Sequence, residues 1–160
     1  MIITFERATS NDAQDMFDIQ HAAFRHNAVI YPDVPADDPS LFDSVTRVVQ
    51  KIEKDDYYKI VHEGQNIGGL VIDDRGGGHF HLDLLYIDPA YHGHGIGSQA
   101  MQFIERTYSA KKWTLHTALY ATRNQRFYEK LGYVKVQEEH YPGISLILYE
   151  KQLALPGKEG

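Results

Sequence analysis

Apolar and polar positions change period several times along the chain, and each change marks an element. Ile2 to Arg7 alternates as a strand, and Asn11 to about Ala28 places Ala13, Met16, Phe17, Ala23 and Phe24 on one helical face. Ser40 with Asp43 three residues on resembles a capping box for a second helix, whose apolar stripe is Leu41, Val45, Val48, Val49 and Ile52. Between them, Tyr31-Pro32-Asp33-Val34-Pro35-Ala36-Asp37-Asp38-Pro39 is too rich in proline to be helical throughout. Tyr57 to Glu63 and Ile67 to Asp73 then read as strands joined at Gly64-Gln65-Asn66, and Arg75-Gly76-Gly77-Gly78 turns the chain into a strand from His79 to Ile87. A helix from near Gly95 carries Ile96, Ala100, Phe103, Ile104 and Thr107, and a short strand follows at Trp113 to Thr117. Another helix starts at Asn124, and Tyr133 to His140 and Ile144 to Lys151 form a hairpin through Pro142-Gly143.

The pattern predicts a mixed α/β (α+β) domain with a largely antiparallel sheet of about seven strands flanked by about four helices. Residues 1–154 are expected to form one domain and residues 155–160 a frayed tail. We find no internal repeat.

The strand ending at Ile87 runs through Asp88-Pro89-Ala90-Tyr91-His92-Gly93-His94-Gly95-Ile96-Gly97-Ser98 directly into a helix. Glycine permits φ > 0 and close approach of a ligand, and the first helical turn presents unpaired N–H groups and the positive end of the dipole. Such a junction suits a phosphate. It is not a P-loop, because no Gly-Lys-Ser/Thr occurs, and Ser98 stands where the dinucleotide fingerprint needs its third glycine.

His92-Gly93-His94-Gly95-Ile96-Gly97 followed by Asn124-Gln125-Arg126-Phe127-Tyr128-Glu129-Lys130-Leu131-Gly132-Tyr133 resembles the GCN5-related N-acetyltransferase (GNAT) superfamily in order and spacing. The resemblance is clearest over residues 80–136, and His92 stands where the family has Gln or Arg. It implies a GNAT-like fold and transfer of acetyl from acetyl-CoA, as co-substrate, to a primary amine in a ternary complex. It further implies that the strand edge at Leu85, Tyr86 and Ile87 pairs with the pantetheine amides. His92, Gly93, His94, Gly95, Ile96, Gly97 and Ser98 would cradle the pyrophosphate, and Asn124 would contact the pantetheine arm, with helix capping as its other reading. Tyr128 would face the departing sulfur as acid or hydrogen-bond donor, where residue type alone allows a core aromatic.

On the strand from His79 to Ile87, even positions are bulky while His79, His81 and Asp83 put polar groups on the other face, which periodicity alone also allows to be simple solvent exposure. By the resemblance, His81 falls where many relatives place a glutamate base, with Asp83 two residues on. An amine of pKa near 10.4 must lose a proton to attack, and His81, Asp83 or a water is the candidate acceptor, with His81 ahead on its reference pKa of about 6.5.

Composition narrows the alternatives. The chain has no cysteine, which closes an acyl-thiol route, and no G-x-S-x-G elbow. Twenty-two acidic against 16 basic residues give a formal charge of −6, which argues against a nucleic-acid binder. No signal pattern after Met1 and no apolar run near 18 residues make a cytoplasmic, non-membrane protein the expectation. The close pairs His79/His81 and His92/His94 raise a His-ligated metalloenzyme as a rival, but no H-E-x-x-H accompanies them, and no metal is expected. A non-catalytic acyl-CoA sensor is the other rival. The resemblance implies that the acceptor, an amine of a small molecule or a protein, meets the turn between the first two helices and the last hairpin, which offer Tyr31, Asp33, Asp37, Asp38, Glu138, Glu139 and Tyr141. The resemblance also allows a homodimer.

Overall fold

The computed structural model describes residues 1–35 and 43–153. A seven-stranded sheet runs in the order β1-β2-β3-β4-β5-β7-β6, with β1 at Thr4–Arg7, β2 at Asp56–His62, β3 at Gln65–Asp74, β4 at His79–Ile87, β5 at Lys112–Ala118, β6 at Val134–Tyr141 and β7 at Ile144–Gln152. Among the described residues only the β4–β5 pair is parallel. The mixed, largely antiparallel GNAT-like sheet is as expected, and so are four helices: α1 (Ala13–Ile30), α2 (Val45–Lys54), α3 (Ile96–Thr107) and α4 (Thr122–Lys130). The parallel pair requires a crossover, and α3 supplies it.

Each face of the sheet carries its own core. Ala13, Met16 and Ala23 of α1 and Val48 of α2 pack on Tyr57, Val71 and Tyr86, while Ala100, Met101 and Ile104 of α3 and Tyr128 of α4 pack on Leu70, Ile72, Leu82, Trp113, Leu115 and Tyr149. Tyr86 is fixed from both sides: its hydroxyl donates to the Met16 carbonyl at 3.3 Å and accepts from the Tyr57 hydroxyl at 2.5 Å. A side chain at Gly69 would run into the Tyr86 ring, so glycine there makes room for it.

Two local expectations are corrected. The even-position face of β4 is not continuous, because the register between β3 and β4 slips at Asp83, where Val71 pairs with Leu84 and Ile72 with Leu82. This bulge moves Leu85 onto the face of Phe80 and Leu82, and sends Leu84 and Tyr86 to the α1/α2 side. The second helix starts at Val45, with Ser44 as its cap accepting from the Arg47 amide at 3.2 Å. Asp43 instead takes hydrogen bonds from the Gln20 side chain and the Ser44 amide. Ser40 and Leu41, the acceptor candidates Asp37 and Asp38, and the expected tail lie outside the described residues. Among the described residues no helix is long and apolar enough to cross a membrane.

Candidate active site

The site forms where β4 and β5 separate. Their parallel pairing runs from His79–Leu82 against Lys112–Leu115, so from Asp83 onward the β5-facing edge of β4 has no strand partner among the described residues. Backbone donors and acceptors are left open there, a template for an extended ligand.

At the end of β4, Asp88 accepts from the Ala90 amide at 2.9 Å and starts a short 3-10 turn, Pro89–Tyr91. The loop then passes Gly93 at φ +81° and Gly95 at φ +73°, and Gly95 caps α3 in the left-handed region. The first α3 bond to reach back is from the Gln99 amide to the Gly95 carbonyl. The six consecutive amides from Gly93 to Ser98 have no hydrogen-bond partner among the described residues. Together with the helix dipole they make an anion cradle.

This cradle opens on a cavity of about 420 Å³ between α1, the end of β4, the first turn of α3 and α4. Leu85, Tyr86, Ile87, His92, Gly93, Gly95, Ile96, Gly97, Ser98, Asn124 and Tyr128 all line it, whereas His94 is exposed to solvent and does not. The His92 Nε2 lies 2.9 Å from the Ile87 carbonyl. A carbonyl only accepts, so Nε2 carries a proton, and His92 ties the loop to the strand end. The ring edge of His26, from α1, packs against it at 5.5 Å.

A second cavity of about 250 Å³ lies between the diverging strands and shares Phe24, Asn27, Leu85, Asn124 and Tyr128 with the first. Asn124 is inside the first turn of α4 rather than at its cap, and its amide has no hydrogen-bond partner among the described residues. Tyr128 packs edge-on against Phe127 and Tyr133, and its hydroxyl likewise has no described partner. Burial pushes the Tyr128 phenol up, so it stays protonated and can donate.

The β4 polar residues separate. Asp83 lines the second cavity and is held by Lys51 of α2 at 2.5 Å. His81 is 4% exposed and lines neither cavity; its Nδ1 lies 2.7 Å from Thr114 Oγ1, which is also 2.7 Å from His79 Nε2. One hydroxyl has one proton, so at least one of these imidazoles donates to it. Burial, with Arg75 and His116 nearby, lowers the His81 pKa to about 4 and keeps the ring neutral. Among the described residues no three His, Cys, Asp or Glu side chains gather to hold a metal ion.

Sequence reasoning did not select Phe24, Asn27, Tyr91, Arg123, Phe127 or His116. Phe24 and Asn27 lie one turn apart on the predicted first helix, so their periodicity was visible, but nothing in it aimed them at the cradle. Arg123 is the one Lys or Arg among the described residues lining the larger cavity.

The acetyltransferase (GNAT) domain profile matches residues 53–135, a run that begins before β2 and extends past α4. The chain belongs to the GNAT acetyltransferase family. It is 37% identical over 89 residues to the uncharacterized protein YrkN of Bacillus subtilis (strain 168), a match covering 52% of this chain and 48% of that protein. The chain thus spans about half the length of that relative. Among solved GNAT structures, the PaiA N-acetyltransferase of Thermoplasma acidophilum in complex with coenzyme A superposes with a TM-score of 0.77 at 15% identity, over 96% of this chain and 100% of that one. A GNAT family acetyltransferase of Elizabethkingia anophelis with acetyl-CoA bound gives 0.68 at 16%, over 94% and 98%. At these identities the likeness is one of fold.

Proposed function

We propose that this GNAT protein is an N-acetyltransferase that moves acetyl from acetyl-CoA directly to a primary amine, with no covalent acyl-enzyme. The observation that carries the proposal is the run of six unpartnered amides from Gly93 to Ser98, opening on a cavity that shares Tyr128 with a second, acceptor-sized cavity. Bound acetyl-CoA supplies an acetyl group already activated as a thioester. The Gly93–Ser98 amides and Arg123 hold the diphosphate, replacing its hydration with fixed donors. Leu85 and its neighbours on the open β4 edge orient the pantetheine arm, while the Ile87 carbonyl is already taken by His92. Asn124 offers an unengaged amide beside that arm. Tyr128 donates from its hydroxyl toward the sulfur, an interaction that strengthens as negative charge develops there.

The acceptor enters the cavity between β4 and β5, which Asp83 lines while its carboxylate is paired with Lys51 of α2. Of the two β4 groups proposed to take the amine proton, Asp83 reaches the cavity itself. His81 is neutral and basic in form but stands behind Thr114, so it acts only through that hydroxyl or a water.

The experiment is an acetyl-CoA titration by thermal shift, followed by thiol release with a panel of phenethylamine, spermidine and a lysine-containing peptide. Stabilisation with acetyl-CoA and thiol release with at least one amine are expected. Stabilisation without transfer to any amine favours the sensor reading, and no stabilisation removes the CoA assignment.

A further inference from the structure

A histidine of β5 also borders the cavity between β4 and β5. His116 lines the acceptor cavity together with Asp83 and Tyr128, and its ring lies 5.2 Å from that of His81. Its Nε2 is 3.2 Å from Glu139 Oε2, a contact made across β7 to β6 because β7 lies between the two strands in the sheet. Glu139 is itself fixed: Tyr141 donates to Oε1 at 2.6 Å and Gln137 to Oε2 at 2.9 Å. These hydrogen bonds, Tyr141 first, hold the Glu139 carboxyl down to about 2, so it is ionised and can only accept. The proton of the His116–Glu139 hydrogen bond therefore sits on Nε2, and the lone pair of the neutral ring sits on Nδ1. Nδ1 has no hydrogen-bond partner among the described residues.

We infer that His116, oriented by Glu139, is the catalytic base that takes a proton from the acceptor amine in the cavity between β4 and β5. The inference rests on the acetyltransferase reading and deepens it, and it shifts the proton from the β4 groups to β5. In the step, the ammonium loses one proton to Nδ1, giving a neutral amine and an imidazolium whose charge Glu139 offsets. The amine nitrogen bonds to the acetyl carbon and the carbon–sulfur bond breaks. Of the two protons then on nitrogen one stays in the amide and the other ends on sulfur, and the proton on His116 leaves to solvent. The groups in contact with His116 are Glu139 from β6 and His81 from β4, and Asp83 of β4 and Tyr128 of α4 line the same cavity; the residue opposite it on β7 is Leu148. Asp83, paired with Lys51, is left to attract the ammonium.

The test compares wild type with His116→Gln, Glu139→Gln, His81→Gln and Asp83→Asn, using whichever panel amine the wild type acetylates fastest. His116→Gln is expected to keep acetyl-CoA binding, lose on the order of a hundredfold in kcat, lose the acid limb of the kcat/KM pH profile, and regain rate with added imidazole. Glu139→Gln is expected to lower kcat less and to move that limb, which a merely structural tie between β5 and β6 would not do. A His116→Gln protein that binds acetyl-CoA and keeps its rate and pH profile overturns the inference, as does a larger loss with imidazole rescue at His81→Gln. If His116→Gln does not fold, the Glu139→Gln profile decides: an unmoved limb overturns the inference. A wild type that acetylates no panel amine counts against the acetyltransferase reading instead.

Discussion

Acidification titrates His81 differently in the folded and unfolded chain, and the size of that difference follows from where β4 places the ring. In the fold its pKa is about 4 against an ordinary value of 6.5, chiefly because the buried ring cannot be charged without losing its hydration. Between these values the unfolded chain binds the proton and the folded one does not, so stability rises with pH across the window. The contribution is fully present above about pH 6.5 and is lost as pH falls toward about 4. A gap of about 2.5 units corresponds to about 3 kcal/mol, or a Tm change of about 6–12 °C for a domain of this size. Other groups add linkage of their own as pH falls, Glu139 and His79 among them, both held below their ordinary values, so the quantity to measure is the difference between wild type and His81→Gln. Gln cannot titrate, yet it offers Thr114 both a donor and an acceptor. Urea unfolding at steps from about pH 8 to about pH 4 should show the advantage of wild type over the variant shrinking by about 3 kcal/mol, with unchanged m-values. A difference constant across the range would mean that the ring is not held neutral, and the description of the Thr114–His81 contact would fall with it.

Gly95→Val forces a β-branched residue to φ +73° at the α3 cap and crowds the cradle, so coenzyme A affinity by calorimetry should fall at least tenfold while the fold, by circular dichroism, survives. Gly97→Val should weaken binding by another route, because its Cβ meets the Phe127 ring at 3.3 Å; unchanged affinity in both variants would dissociate the loop from the cofactor. Tyr128→Phe should leave acetyl-CoA affinity near wild type and reduce the single-turnover rate by roughly tenfold to a thousandfold, and a full rate would make Tyr128 a packing residue only. Ser44→Ala removes the acceptor for the Arg47 amide and should cost about 1 kcal/mol in chemical denaturation; unchanged stability would mean that Ser44 does not cap α2.

The strands were legible because their periods and turn residues agree: β4 from His79 to Ile87 coincides with its expected limits, bounded by Gly76-Gly77-Gly78 and Asp88-Pro89. The slip at Asp83 was not, since a bulge is set by pairing with β3 and leaves no mark in a list of alternating side chains. The cap at Ser44 and the tertiary contact of Asp43 with Gln20 depend on how α1 and α2 pack, which local spacing does not show. The glycine-rich loop with its open amides could be read because it is local, one loop and one helix end. The cavity between β4 and β5 could not, because Phe24, Asp83, His116 and Tyr128 come from four elements that the divergence of β4 and β5 brings together. His116 illustrates the point: as a lone histidine in a short strand it carries no signal until the sheet order sets Glu139 within reach of it.

Transfer itself is the most direct test. Purified protein incubated with acetyl-CoA labelled in the acetyl group and with phenethylamine, spermidine and a lysine-containing peptide, analysed by mass spectrometry, should yield one labelled N-acetyl amine and one free thiol for each acetyl transferred, with no label left on the protein. Label bound covalently to the chain would contradict direct transfer, and intact acetyl-CoA with every amine, from a protein that binds it, would contradict the assignment as an acetyltransferase.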